Sequence, residues 1–185
     1  MAPKALPAIA VAALLVVACG EPGPDGSEPP TGTPIVREGV ADGFRLVLRV
    51  GSDVYDAGAP IDVGATLTWT GPADRATVWG SGSGVVSFVL QQLDGPLAVG
   101  GLMTADCGPH EFERLVPVPI PFTKSGGFSA DDPNADFYRA FLADPVLRLP
   151  AGTWRIGATA SGFLEPCEMD APTLDVALQA DVLVR

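Results

Sequence analysis

The residues best suited to bond formation or metal binding are three cysteines and one histidine: Cys19, Cys107, Cys167 and His110. Cys107 and His110 have a Cys-x-x-His spacing that zinc tolerates, and Cys167 with Glu111 would complete a set of four ligands. A second compact ligand pair is missing from the sequence. For this reason the sequence favours a disulfide between Cys107 and Cys167 over a metal site.

Covalent catalysis by a serine would have to use His110 as its base, because the chain has no other histidine. The segment Gly80–Gly84 reads Gly-Ser-Gly-Ser-Gly, but a nucleophile elbow needs serine at the centre, where this chain has Gly82. A nucleotide-binding loop would need a helix directly after it, and none is predicted there. We expect a flexible hairpin or edge loop, and we expect that the protein is not an enzyme.

The densest group of acidic residues matches only the opening of a calcium-binding loop. Asp132, Asn134 and Asp136 have the spacing of its first three ligands. Phe137 and Ala143 stand where such a loop requires glycine and glutamate. The sequence therefore predicts no metal site and no cofactor, and beside the zinc alternative above these three side chains are its weak metal candidates.

Two further sets of side chains fit structural roles better than functional ones. Glu111 and Glu113 are two residues apart, so a strand would place both on one solvated face. Hydrolysis by such a pair would need a cleft that raises the pKa of one carboxyl. Trp69, Trp79 and Trp154 alternate in phase with aliphatic residues, which favours core packing over a platform for stacking sugars.

Composition and charge exclude several classes of protein. The 185 residues suffice for one ordinary domain. The 22 acidic and 11 basic residues give a net charge of -11, and we exclude nucleic acid as a partner because phosphate binding needs basic patches. A hydrophobic content of 47% rules out disorder of the whole chain, and 22 glycines with 19 prolines argue against an all-helical fold.

The first residues have the features of an export signal. Lys4 is followed by an uncharged apolar run, Leu6–Ala18, which is shorter than the roughly 20 residues of a membrane span. The run ends in Leu15-Val16-Val17-Ala18-Cys19, which resembles the lipobox of bacterial lipoproteins. This resemblance implies a signal peptide over residues 1–18 and acylation of Cys19. The lipid would anchor the exported protein to the bacterial envelope, at the outer membrane or the outer face of the cell membrane.

Residues 19–34 form the predicted link between the lipid and the folded part. After the acylated Cys19, the stretch Gly20–Pro34 contains five prolines and no large apolar residue. With nothing to bury, it is expected to be a disordered tether. The folded domain is then predicted to cover residues 35–185.

Alternating apolar residues predict an antiparallel β-sandwich of about seven or eight strands. The predicted strands are Phe44–Val50, Ile61–Trp69, Thr77–Trp79, Val85–Leu90, Phe112–Val118, Trp154–Ala160 and Leu174–Val184. One short helix is predicted as a crossover between the sheets, with Asp132 as its cap and Pro133 in its first position. It is expected to end near Ala143, before Asp144-Pro145.

Two phrases of the sequence resemble immunoglobulin-like modules of bacterial envelopes: Val54–Val63 resembles the start of their second strand, and Leu149–Ile156 their penultimate strand. A looser similarity, over Leu46–Ala160 with the Asp94-Gly95 turn, is to the intracellular proteinase inhibitor family. These resemblances imply an immunoglobulin-like sandwich that binds an unknown envelope protein or ligand. The alternative is an inhibitor that presents Gly80–Gly84 or Pro117–Ser125 to a protease.

Overall fold

Antiparallel pairing arranges the strands in two sheets in this computed structural model, which describes residues 32–168 and 170–185. The first sheet has the order β1-β2-β4-β9, formed by Ile35–Ala41 (β1), Phe44–Val50 (β2), Val63–Trp69 (β4) and Val118–Pro121 (β9). The predicted signal peptide, the predicted lipidation site Cys19 and the predicted tether up to Thr31 lie outside the described residues.

The second sheet is built on two long strands, Gly152–Phe163 (β10) and Thr173–Val184 (β11), which pair along their whole length. The remaining strands of this sheet are Val54–Tyr55 (β3), Arg75–Gly80 (β5), Val86–Gln92 (β6), Ala98–Val99 (β7) and Gly108–Glu113 (β8). β3 runs parallel to β11, and every other named pair is antiparallel.

Apolar side chains from the facing sides of the two sheets form the core. In β2, Phe44 and Leu46 are fully buried, and in β10 Trp154 and Ile156 are fully buried as well. These residues alternate with more exposed neighbours such as Arg49, as a half-buried strand requires. The predicted β-sandwich is therefore confirmed.

The strand count is higher than predicted, partly because the predicted strand Phe112–Val118 is two strands. β8 ends at Glu113 in the second sheet, and β9 begins at Val118 in the first. Between them Leu115 has a φ of 61°, a left-handed conformation that ends a strand. Its backbone N–H donates to the Trp69 carbonyl at 2.8 Å, so the chain turns from one sheet to the other at this point.

The Gly-Ser-rich segment after β5 is not a hairpin. Phe163 of β10 pairs with Trp79, and Ala160 pairs with Val86. The three-residue interval from Ala160 to Phe163 in β10 therefore lies opposite the seven-residue interval from Trp79 to Val86. Ser81–Gly84 is the surplus, an edge bulge between two strands that lie along the same side of β10.

The single helix of the described residues, Ala135–Ala143 (α1), connects β9 to β10 and so crosses between the sheets as predicted. It begins later than predicted, with Asn134 in the N-cap position and Pro133 outside the helix. Asp132 instead accepts the Asn134 backbone N–H at 2.7 Å and forms a turn before the helix. The helix ends at Ala143, as expected.

The segment at Thr33, which precedes β1, contacts the sandwich at one end of β10 and β11. The carbonyl of Asp53 accepts the backbone N–H of Leu183, near the end where Gly152 pairs with Val184, and Asp53 also binds Thr33. Strands of 12 residues span roughly 37 Å. The other end of the pair, at Phe163 and Thr173, is thus about that far from Thr33. Among the described residues, no helix has the length and apolar content that a membrane span requires.

Candidate functional site

A cleft of about 560 Å³ opens at the end of β10 and β11 that is remote from Thr33. Its walls are Gly80–Ser81, Met103–Cys107, Ser161–Phe163, Cys167 and Thr173–Asp175. Five separate stretches of the chain thus meet at one place because β5, β10 and β11 all have an end there.

Cys107 and Cys167 form a disulfide across the cleft wall, as the sequence predicts. Their Cα atoms are 6.3 Å apart, within the range that an S–S bond can bridge. The bond ties the loop before β8 to the loop between β10 and β11. Since both sulfurs are used in it, neither is a thiolate ligand for zinc in this state.

Hydroxyl groups fix the edge bulge to the opposing loop. The Ser81 hydroxyl lies 2.6 Å from the Ser83 hydroxyl and 2.7 Å from the Thr104 hydroxyl, and it accepts the Thr104 backbone N–H at 2.8 Å. Ser81 is 8% exposed and so lies largely beneath the surface, whereas its partners Ser83 and Thr104 are exposed. The predicted flexible loop is therefore held by several hydrogen bonds, and polar groups that burial would leave unpaired are satisfied.

Asp106 is the charged member of this network. One carboxylate oxygen accepts the Gly82 backbone N–H at 3.0 Å. A hydrogen bond from the Thr104 side chain is the largest cause that lowers the pKa of Asp106, and the Gly82 bond adds to it. Both bonds favour the charged form, so this carboxylate is ionised at neutral pH.

His110 lies beside the cleft, but its ring contacts a backbone atom. It is half-buried on β8, and its Nε2 is 2.9 Å from the carbonyl oxygen of Ser81. The Ser81 hydroxyl has Ser83 and Thr104 as partners. A catalytic serine must form a hydrogen bond from its hydroxyl to the histidine that acts as base. Here the partner of the His110 ring is the backbone carbonyl of Ser81 and not a hydroxyl.

The calcium candidates have local partners. Asp132 caps the turn at Asn134, and Asp136 forms an ion pair with Arg139 on the helix surface. Over residues 32–168 and 170–185, no group of three or more histidine, cysteine or acidic side chains is placed to hold a metal ion.

The paired glutamates and the tryptophans follow the strand pattern. Glu111 accepts the Thr77 hydroxyl at 2.8 Å, and Glu113 forms a surface ion pair with Arg75, so both lie on the solvated face of β8. Trp154 is fully buried and Trp69 packs against the core. The core prediction holds for these two, whereas Trp79 is only half-buried, at the end of β5 beside the cleft.

A second, smaller cavity of about 270 Å³ lies under the helix, where its charged groups already have partners. The Lys124 ammonium donates to the Phe141 carbonyl at 2.7 Å and lies 4.1 Å from the centre of that ring. Arg148 pairs with Asp144 and donates to the Gly58 carbonyl. Burial lowers the pKa of Lys124. These contacts fasten the helix and leave little charge for a ligand.

Sequence reasoning did not find Thr104, Asp106 or Asp175 as members of a site. The sequence does contain one signal that points to this cleft. No lysine or arginine occurs between Arg75 and Arg114, or between Arg155 and Arg185, and these two stretches supply every wall of the cleft. No family model matches the chain, and no curated protein or solved structure is significantly similar to it.

Proposed function

We propose that this protein is a lipid-anchored binding module of the bacterial cell envelope, without catalytic activity of its own. The observation that carries the proposal is the position of the disulfide-bounded cleft, at the end of the sandwich opposite to Thr33. A chain that reaches the domain from an acylated Cys19 would hold this cleft away from the lipid. Small-molecule sites usually occupy 300–1,000 Å³, and a cleft of about 560 Å³ lies in that range.

The hydrogen bonds around His110 support a binding role over hydrolysis. Its Nε2 is engaged by the Ser81 carbonyl, and the Ser81 hydroxyl is engaged by two other hydroxyls. Asp106 is bonded to Gly82, so none of these three groups is aligned to activate another.

The inhibitor alternative has less support from the two loops that could serve it. The Gly80–Gly84 segment is bound by Thr104 and Asp106, and Ser81 is buried. Within Pro117–Ser125, residues 118–121 pair with β4, and Lys124 is fastened to Phe141. An inhibitory loop must be ordered and must project into a protease cleft, whereas Ser81 is buried and residues 118–121 lie within a sheet.

A photocrosslinking amino acid tests the binding role in the native envelope. Placed at Ala105, an exposed residue of the cleft wall, it should yield one reproducible covalent adduct that mass spectrometry can locate. Ala151, exposed beside Gly152 at the Thr33 end of the domain, is the matched control and should yield none. Equal adducts at both positions, or none at Ala105, would contradict the proposed function.

A further inference from the structure

We propose that the cleft binds a small organic cation, an ammonium or guanidinium group on a short apolar stem, which deepens and rests on the binding role proposed above. The first argument is charge. The two stretches that build the cleft contain no lysine or arginine, and their acidic residues within two positions of a cleft wall are Asp106, Glu165, Glu168 and Asp175. Such a surface attracts cations and repels anions.

Two carboxylates face the cleft, and the residues that line it include no lysine or arginine to pair with them. Asp106 and Asp175 line the cleft, and their neighbours there are hydroxyl, backbone and apolar groups. Arg155, the basic residue at the start of β10, already forms two hydrogen bonds with Asp181, at 2.8 and 2.9 Å. An incoming cation would therefore meet two carboxylates with no lysine or arginine among the cleft walls, and the imidazole of His110 is the titratable neighbour of Asp106.

The remaining walls fit the stem of such a ligand. Met103 and Phe163 offer apolar surface, and an aromatic face also attracts ammonium and guanidinium groups. The Thr104 and Thr173 hydroxyls can accept hydrogen bonds from a cationic head. A cavity of about 560 Å³ has room for a molecule of this size.

Agmatine, which carries an ammonium and a guanidinium on a four-carbon stem, is the probe for this inference. The full chain, as the expressing bacterium processes it, is titrated with agmatine by calorimetry and by amide shifts in NMR. We expect a Kd of about 1 mM or lower, shifts at Gly82 and Thr104, and weaker binding as salt is raised. Two control compounds have a short apolar stem with a polar group at each end, as agmatine has: pentanediol, which is neutral, and glutarate, which is anionic. Both should bind at least tenfold more weakly than agmatine.

Substitution of the two carboxylates locates the site. Asp106→Asn combined with Asp175→Asn should weaken agmatine binding at least tenfold. Asp56→Asn removes one charge at the Thr33 end of the domain and should not. Asparagine keeps an acceptor for the Gly82 N–H, and thermal melting verifies that the variant is folded. Agmatine binding that is absent, or that the double variant retains, would overturn the inference.

Two outcomes separate this inference from the proposed function. If the crosslinker at Ala105 captures a ligand but agmatine does not bind, the binding role stands and the cationic ligand is wrong. If a tripeptide with a central arginine binds more than tenfold tighter than agmatine, the occupant is a protein side chain, which also overturns the small-cation assignment. If neither capture nor agmatine binding is seen, both proposals fail.

Discussion

Thr33 and Asp53 hold each other through two hydrogen bonds. The Thr33 backbone N–H donates to Oδ1 of Asp53 at 2.7 Å, and the Asp53 backbone N–H donates to the Thr33 carbonyl at 2.9 Å. Contacts of the folded part thus begin two residues before Ile35, the predicted start of the domain. They fix the end of the sandwich at which the preceding chain arrives.

Asp53→Ala should lower the free energy of unfolding by about 1 kcal/mol, because the Thr33 N–H loses its acceptor. Asp53→Asn keeps an oxygen in the same place and should lose less than half as much. Urea unfolding of the three proteins measures this order. If alanine and asparagine are equivalent, the side-chain bond does not secure this segment.

Replacing both disulfide cysteines by serine should destabilise the domain by about 4 kcal/mol at most, the loop-entropy value for a separation of 60 residues. It should also free the loop before β8 from the loop between β10 and β11. Chemical unfolding measures the first effect, and hydrogen exchange at Thr104 the second. Labelling of both thiols in the folded wild-type protein would contradict the bond itself.

Two strand glycines make a matched pair. A Cβ at Gly162 would lie 2.5 Å from a methyl of Val78 and 2.8 Å from the Trp79 carbonyl oxygen, whereas a Cβ at Gly64 would meet only the Ile120 carbonyl oxygen, at 3.6 Å. Gly162→Ala should therefore cost about 1–3 kcal/mol in stability. Gly64→Ala should stay within about 0.5 kcal/mol of wild type. Equal melting temperatures for both variants would refute the close approach of β5 to β10.

Thr104→Val should raise the pKa of Asp106 towards its ordinary value of 3.8, because the hydrogen bond that lowers it most is removed. The sign follows from linkage. A carboxyl whose pKa is lowered by folding stabilises the fold above its ordinary pKa, and this contribution disappears as the pH falls through the native value. An NMR titration that follows the Gly82 amide measures both proteins. Identical midpoints would remove Thr104 as the cause.

Much of the sandwich could be predicted because burial on one face imposes a period of two on the sequence. Leu46 and Leu48 in β2, and Leu174 and Val182 in β11, show this period and are all buried. The disulfide could be predicted because acylation is expected to use Cys19, which leaves Cys107 and Cys167 to pair with each other. The crossover helix followed from Phe137 and Phe141, whose rings are 5.7 Å apart.

The parts that were missed depend on contacts between distant segments. Strand β1 has exposed Val36 and Val40, so its sequence lacks a clean alternation. The turn at Leu115 is set by its bond to Trp69, on another strand. The cleft exists only where the ends of β5, β10 and β11 meet, and no local pattern encodes that meeting.

An anchor at Cys19 would hold the cleft away from the lipid, because the cleft lies at the end of the domain opposite to Thr33. Energy transfer to an acceptor lipid in vesicles tests it, with a dye placed genetically at Leu183, which is exposed near the Thr33 end, or at Ala105 in the cleft wall. We expect stronger transfer from Leu183 than from Ala105, and almost none from either position in Cys19→Ala. Transfer that is stronger from Ala105, or unchanged in Cys19→Ala, would contradict it.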